Sequence, residues 1–548
     1  MTDITLDGKS LSAEEGLRIK DLSVFSDRKV QICGAFVNNM IKSLNYRVKD
    51  GDIVRLIDIT QEAGFRIYES TLLLLLEYAV HSLFPDKKLT AGYSLGGGVF
   101  CEFAGEEMSE EDVRLIKEKM QSVSAENLKI NEITLPLQEA RNIAESGSFL
   151  SSVELLEYFR SENITLYEMA GCYCYFHSKT LSSSEEAGVF SLVRCSPGCV
   201  LLGPRKDSPS EAREMTVQDN LHEELQSYEK WCSRLDVSDA VSLNRKIENG
   251  SITNLITIAE SRHEQLIAKM ASEIFEARES KRVILIAGPS CAGKTTTSKR
   301  LRNHLEALGI SSLAIGIDDY FLNREDTPLD EEGNYDYESL RAVDVELFNE
   351  HLLLLMNGFE AGLPKFDFIS GTRSSKKTYV RAEKSCPIII EGIHGLNEKL
   401  TPHIPKENKY KIYINDLTHL NLDQLNRIPT SDVRLVRRIV RDKVQRGHDA
   451  LSTIKMWQSV RRGEEQNIYP FSSEADFVFN SSLLYEMGVL KKYAEPALSE
   501  ISSGSEYYHE ALRLLDFLSF FLPVEDESAV YTNSILREFI GGNVFDSL

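Results

Sequence analysis

The sequence has no hydrophobic run long enough to cross a bilayer. Its greasiest stretch, Leu72 to Leu76 followed by Glu77, Tyr78, Ala79 and Val80, is about half of the roughly 20 residues a spanning helix needs and carries a charge. It reads as a buried helix, and no membrane partner is expected. A basic surplus is missing too: 62 Lys and Arg face 84 Asp and Glu, for a formal charge of −22. That balance disfavours the broad electrostatic grip of nonspecific nucleic-acid binding, while leaving room for a local basic site. The opening MTDITLDGKS lacks the basic and apolar regions of a secretory signal. Nine cysteines are scattered along the chain rather than clustered, so the expected compartment is the reducing cytoplasm. Cys195 and Cys199, in CSPGC, lack a second pair at zinc-finger spacing and read as a reduced turn between strands.

What is present is enough chain, 548 residues, for several cores. Residues 1–60 alternate short apolar stretches with turn signals such as Asp7-Gly8 and Asp50-Gly51, which predicts a small β-rich module. Residues 61–205 form a second, α+β unit. Residues 206–280 open with breakers and then place Leu255, Ile256, Ala259, Leu266 and Met270 at mostly helical spacing, a connector. Residues 281–500 carry the chemistry as an α/β domain with a parallel sheet. The last stretch, 501–548, is helical, and its apolar residues from Tyr507 to Phe521 are expected to pack on another domain or on a partner subunit, leaving a homo-oligomer open.

The strongest local signal is the apolar run Val283 to Ala287, then GPSCAGKT, then a helical pattern that stops at Gly309. Strand, loop and helix stand in the order a phosphate-binding loop requires. Glycines at 288 and 293 let backbone amides turn inward as an anion nest, Lys294 reaches the outer phosphates and Thr295 offers a hydroxyl to Mg2+. The candidate ATP-binding residues are therefore Gly288, Pro289, Ser290, Cys291, Ala292, Gly293, Lys294, Thr295 and Thr296.

A second apolar run, Leu313 to Ile317, ends in Asp318 and Asp319, and a third, Pro387 to Ile390, ends in Glu391. In a parallel sheet these acids emerge at the carboxyl edge, where ligands bind. A carboxylate there accepts the proton of an attacking hydroxyl or helps hold Mg2+. Asp318 is the favoured candidate for both tasks, with turn capping as the alternative, stronger for Asp319. Glu391 is the second candidate metal group, with a capping or salt-bridge role as its alternative. The run SDVRLVRRIVRDKVQRG then puts Arg434, Arg437, Arg438, Arg441 and Arg446 on one helix whose Leu435, Ile439 and Val440 pack inward. Beside a phosphate loop this reads as a lid closing on phosphates rather than a solvated face.

Taken together, GPSCAGKT, IDDYF, NYDYE, KFDFISGTR, IIIEGIHGL and DVRLVRRIVRDKVQRG resemble the uridine kinase and phosphoribulokinase family across about residues 281–485. The resemblance implies ATP- and Mg2+-dependent 5′-phosphorylation of a nucleoside. It puts Asp318 at the catalytic carboxylate, Glu391 at the metal-associated glutamate, Asp336 at an acid contacting the nucleoside, and Arg438, Arg441 and Arg446 at lid positions. Lys294 joins them as a catalytic group, Asp318 and Thr295 join Glu391 at the metal, and Phe321, Tyr335, Phe366 and His448 join Asp318 and Asp336 around the substrate. Phe366 and Gly371 stand where a tyrosine and a histidine usually read the pyrimidine, and His448 stands for an arginine, so a base other than uracil is compatible with the pattern. His448 also reads as a surface histidine near a hinge.

The front half resembles two other modules. TLDG opens like the TGS domain of threonyl-tRNA synthetases and some GTPases, and YESTLLLLLEYAVHSLFPDKKLTAGYSLGGGVFCEF resembles the start of the second additional domain of threonyl-tRNA synthetase. Editing-competent members of that family carry HxxxH and CxxxH ligands. Here Glu69 and Leu73 hold the first pair of positions and Tyr173 replaces the cysteine, although His177 is kept. Leucine cannot ligate zinc, so this domain is expected to be a relic, with RNA or protein contact as its remaining use. Two alternatives stand beside the nucleoside kinase: a kinase for another alcohol such as a sugar phosphate, and an RNA- or ribosome-associated ATP-binding switch.

Overall fold

A computed structural model describes residues 2–547 apart from 15, 27, 148–149, 152, 330–332, 334, 368–369 and 384. Asn334 of NYDYE and Phe368 and Ile369 of KFDFISGTR lie outside the described residues.

The first sheet has five strands, in the order Lys9–Ala13, Thr2–Leu6, Ile53–Asp58, Ile32–Val37 and Met40–Lys42. Its first hairpin turns at Asp7-Gly8, both with positive φ, as a DG turn between right-twisted strands demands. The greasy stretch lies in the helix Glu62–Leu83, where Leu72 to Leu76 are all buried. It packs against that sheet and the helix Glu110–Ala125. Each fully buried leucine contributes about 1.5–3 kcal/mol relative to an exposed one. A four-stranded antiparallel sheet (Leu89–Leu95, Gly98–Phe103, Gly198–Leu202, Ser191–Cys195) and a three-stranded one (Ile130–Pro136, Asn163–Met169, Cys172–Cys174) complete the front half. Cys195 and Cys199 flank the hairpin turn between the last two strands of the former, and all nine cysteines are free thiols.

Helices Asp219–Arg234, Ala240–Glu248 and Ile252–Ala277 lead to the last major sheet. Its five parallel strands run in the order Leu313–Gly316, Ile388–Glu391, Val283–Ala287, Lys409–Asn415 and Phe477–Asn480. The three middle strands are almost wholly buried, and two of them, Val283–Ala287 and Ile388–Glu391, accordingly read as apolar runs rather than alternating ones, whereas Lys409–Asn415 buries Lys409 and Lys411 by pairing both with Glu398. No helix among the described residues is long and apolar enough to cross a membrane.

The C-terminal apolar stretch packs on its own chain. Leu514, Phe517, Leu518, Phe520 and Phe521 are buried, with the helix Tyr508–Ser519 against the helix Glu486–Ser499. A buried charge network binds the ends of the molecule. Arg513 Nη1 donates to Asp432 Oδ2 at 2.5 Å and its Nη2 to Glu510 at 2.6 Å, while Arg66 lies 3.5 Å from Glu510. The front half is also keyed into the loop after Lys409–Asn415. Asn426 Nδ2 donates to Tyr175 O at 3.0 Å, His177 N donates to Asn426 Oδ1 at 2.9 Å, and Ala91 N donates to Gln424 O at 2.7 Å. The positions where the synthetase family carries ligands are used here for packing: Glu69 accepts from Arg427 at 3.3 Å and Leu73 is buried.

Candidate functional site

The site grows from three strand ends of the parallel sheet. Glu391 is in register with Ile286 on one neighbour and Gly316 on the other, so the acid stands between the strand that launches the phosphate loop and the strand that launches Asp318. The second apolar run ends one residue earlier than its hydrophobicity predicts. Gly316 closes the strand and Ile317–Tyr320 is a single 3₁₀ turn. That turn separates the two aspartates. Asp318 is exposed, whereas Asp319 Oδ1 accepts from Phe366 N at 3.2 Å and pairs with Lys365 at 3.1 Å. Asp319 therefore fastens the acceptor-side segment to the turn.

The phosphate loop has the geometry its glycines imply. A Cβ on Gly288 would lie 1.9 Å from Ile414 O, so only glycine lets the loop leave the sheet there. Cys291 and Gly293 both have positive φ, the alternation that turns successive amides to one side. Lys294 begins the helix Lys294–Ala307 and its ammonium donates to Gly288 O at 2.9 Å and Pro289 O at 3.0 Å, folded onto its own loop. Thr295 Oγ1 donates to Glu391 Oε1 at 2.6 Å.

These carboxylates are held away from their ordinary chemistry. Burial pushes Glu391 up to about 7, opposed by the Thr295 bond and the Lys294 charge and reinforced by Glu538 and Asp318. Desolvation by the surrounding protein also raises Asp318, against the pull of Lys294. Glu338 joins them: burial and then Glu464 raise its carboxyl to about 7, with Arg438, Lys294 and Asp318 in range. It packs on the bare backbone of Gly463, where a Cβ would come within 2.3 Å of its own.

Three oxygen donors, from Thr295, Glu391 and Asp318, fit Mg2+, which prefers hard oxygen ligands and keeps several waters or phosphate oxygens. Among the described residues no cluster of three or more His, Cys, Asp or Glu side chains is poised to hold a metal. The three donors would supply part of a shell and leave positions for water or phosphate oxygens. Raising Glu391 from its ordinary 4.5 to about 7 has a definite sign. Stability of the ligand-free fold is lost as pH rises through that interval, because the Thr295 bond and the Lys294 charge do not offset the burial of the anion. A cation binds the deprotonated form, so Mg2+ is expected to raise the melting temperature more at about pH 8 than at about pH 6. Calorimetry of wild type and Glu391→Gln checks this: equal shifts at both pH values in the wild type count against the assignment, and the variant should lose the difference.

The arginine helix Thr430–Arg446 divides its charges by face. Arg434 and Arg437 are fully buried and do not belong to a mobile lid. Arg434 makes a bidentate pair with Glu464 (second contact 2.8 Å) and also donates to Ser290 O, while Arg437 pairs with Glu486 at 2.6 Å and donates to Cys291 O. Glu464 in turn accepts from Ser290 N at 3.0 Å. These two arginines and their acids shape the phosphate loop from behind. Arg438 donates to Ser290 Oγ at 3.1 Å, and Arg438, Arg441 and Arg446 all converge on buried Asp442 at 3.2–3.5 Å.

The acceptor-side candidates divide as well. Phe321 and Phe366 are buried in one cluster, rings edge to face at 5.8 Å. Tyr335 is exposed, and Asp336 is half-buried with its N–H on Pro328 O at 2.7 Å. His448 is exposed just beyond the helix, its backbone N–H on Asp442 O at 3.0 Å. Sequence reasoning missed Glu338, Glu464 and Glu538, the last of which accepts from Thr296 Oγ1 at 2.7 Å. Glu338 lies inside the NYDYE motif; Glu464 and Glu538 have no local signal.

Comparison with known proteins places this architecture. The profile of the "Phosphoribulokinase / Uridine kinase family" matches residues 283–484. A uridine kinase of Halobacterium salinarum is 30% identical over 195 residues, covering 35% of this chain and 77% of the relative. One from Anoxybacillus flavithermus is 29% identical over 202 residues, 37% of this chain and 86% of the relative. The N-terminal part is similar to a threonine–tRNA ligase of Acetivibrio thermocellus, 31% identical over 174 residues, 31% of this chain and 27% of that protein. A solved structure described as a possible uridine kinase from Bacillus stearothermophilus is covered completely by 40% of this chain, at 21% identity and a TM-score of 0.28. With a phosphate loop, two strand-end acids and an arginine helix in family order, and a relative at 30% identity covered over 77% of its length, the chain belongs to the phosphoribulokinase / uridine kinase family.

Proposed function

We propose that this protein transfers the γ-phosphoryl group of ATP to a hydroxyl of a small molecule, foremost the 5′-hydroxyl of a nucleoside. The observation that carries the reading is the meeting of Lys294, Thr295, Asp318 and Glu391 at one edge of a single sheet. In this reading Asp318 accepts the acceptor's proton, and its raised proton affinity brings it nearer to neutral pH, where a general base works best. Lys294 leaves the two loop carbonyls for the outer phosphates, and Arg438, Arg441 and Arg446 approach the transferring group from the helix edge, as phosphoryl transfer requires of positioned cations. Thr295, Glu391 and Asp318 would hold Mg2+, which when bound neutralises charge on the phosphoryl oxygens.

The second reading of the acceptor is a sugar phosphate, the class that the phosphoribulokinase half of the family's description names. The test is a panel of nucleosides and sugar phosphates with ATP and Mg2+, read by ADP release and by mass of the product. Nucleoside 5′-monophosphate is the expected product. Absence of turnover on every hydroxyl, with ATP binding intact, would sink the kinase reading.

A further inference from the structure

The phosphate-loop helix already has an anion at its first turn, and it comes from the far end of the chain. The first intrahelical bond of Lys294–Ala307 is Thr297 N to Gly293 O, so the N–H groups of Lys294, Thr295 and Thr296 have no helical partner and point at the place where phosphates sit. Thr296 does not wait empty. Its N–H donates to Glu538 Oε2 at 3.3 Å and its hydroxyl donates to the same oxygen at 2.7 Å. Asn543 Nδ2 donates to Thr296 Oγ1 at 3.4 Å. One turn of chain before Glu538, Ile535 presses on the loop's glycine: a Cβ on Gly293 would lie 2.5 Å from Ile535 Cγ2.

The backbone that carries Glu538 is fixed, which separates the movement of its side chain from any movement of the segment. Asn533 Nδ2 donates to Glu264 at 2.8 Å, Gln445 Nε2 donates to Glu538 O at 2.6 Å, and Lys299 Nζ reaches Phe545 O at 3.4 Å. Ile535, Leu536 and Phe539 are fully buried, and the Arg437 guanidinium lies 5.2 Å from the Phe539 ring centre. Arg441, on the neighbouring helix, feels the Glu538 charge and offers the carboxylate an alternative cation. A carboxylate and a phosphate oxygen cannot share one amide, because the two anions repel at close range in a site poor in water.

We propose that Glu538 is a built-in phosphate surrogate, holding the anion seat of Thr296 in the nucleotide-free protein and swinging away when a nucleotide enters, so that this one side chain sets nucleotide affinity. The inference rests on residues 288–296 being the ATP cradle. A nucleotide that must first displace Glu538 binds only the fraction of molecules in which the seat is free, and its apparent affinity falls by that fraction.

The experiment is calorimetric titration of the full chain with ADP in EDTA, which removes any metal-mediated role of the carboxylate. Glu538→Gln keeps the shape and loses the charge, and Glu538→Ala removes both. Melting temperature confirms that each is folded. Both variants are expected to bind ADP more tightly than wild type, by roughly fivefold or more. Wild type that binds no ADP while the variants do is the same result in stronger form. Unchanged or weaker binding in a folded variant, beside a wild type that binds, overturns this proposal and leaves the cradle standing. Failure of all three proteins to bind overturns the cradle and this proposal together.

Discussion

Asp318→Asn is expected to lower kcat by about 10²–10⁴-fold, the usual contribution of a positioned general base, while ADP binding changes little. The asparagine keeps the size of the side chain and the 3₁₀ turn of Ile317–Tyr320 but can no longer take the hydroxyl proton. Asp319→Asn is the matched control. Asp319 is already engaged with Phe366 N and Lys365, so its loss loosens the acceptor-side segment and shows in the acceptor KM before it shows in kcat. Steady-state kinetics with the best acceptor from the panel separates the two. Equal loss of kcat in both variants would mean that the turn, and not the Asp318 carboxylate, is what the reaction needs.

The second large effect is on stability. Glu464→Gln strips the counter-charge from Arg434, whose side chain has no exposure, and an uncompensated buried charge costs about 3–5 kcal/mol. The same carboxylate receives Ser290 N and the Tyr469 hydroxyl at 3.0 Å each, so the loop loosens along with the core. Burial works against the Glu464 anion and the Arg434 guanidinium overrides it, holding the carboxyl below its ordinary range. The expected reading is a fall of about 10 °C in the melting transition of the kinase part, in line with a few degrees per kcal/mol for a unit of this size. A double variant, Arg434→Met with Glu464→Leu, should recover only part of that loss: it removes the unpaired buried charge of Arg434, while Ser290 N, the Tyr469 hydroxyl and Arg461 still lose the Glu464 carboxylate. Glu464→Gln melting within about 2 °C of wild type would show that the pair does not carry the loop.

Much of the kinase part was legible because its chemistry is local. Gly288 to Thr296 is one unbroken stretch, and the conditions it must meet, a buried strand before and a helix after, are written in the adjacent residues. Glu391 was legible for the same reason: an acid at the end of a buried parallel strand has one exit, the carboxyl edge. The arginines were legible only as a set. A helix turns about 100° per residue, and nothing in SDVRLVRRIVRDKVQRG says which arginines face Glu464 and Glu486 and which gather on Asp442. Burial sends Arg434 and Arg437 inward and leaves Arg438, Arg441 and Arg446 around Asp442.

The front half shows the same division. Turn chemistry at Asp7-Gly8 and the apolar helix around Leu72 to Leu76 followed from residue type. That Glu69 meets Arg427, and that Asn426 bonds Tyr175 and His177, did not, because those partners lie far apart in the chain and meet only through packing.

By itself the sequence determined the strand, loop and helix around Gly288 to Thr296, the apolar runs that lead to Asp318 and Glu391 and the edge from which these acids emerge, since each depends on residues within a few positions of one another. Only the tertiary structure decided which aspartate stays exposed and which is tied to its neighbours, which arginines are structural, and that Glu464 and Glu538 reach the loop from 174 and 242 positions away. Contacts over such distances are selected by the packing of whole helices and strands, and no local pattern of residues encodes them.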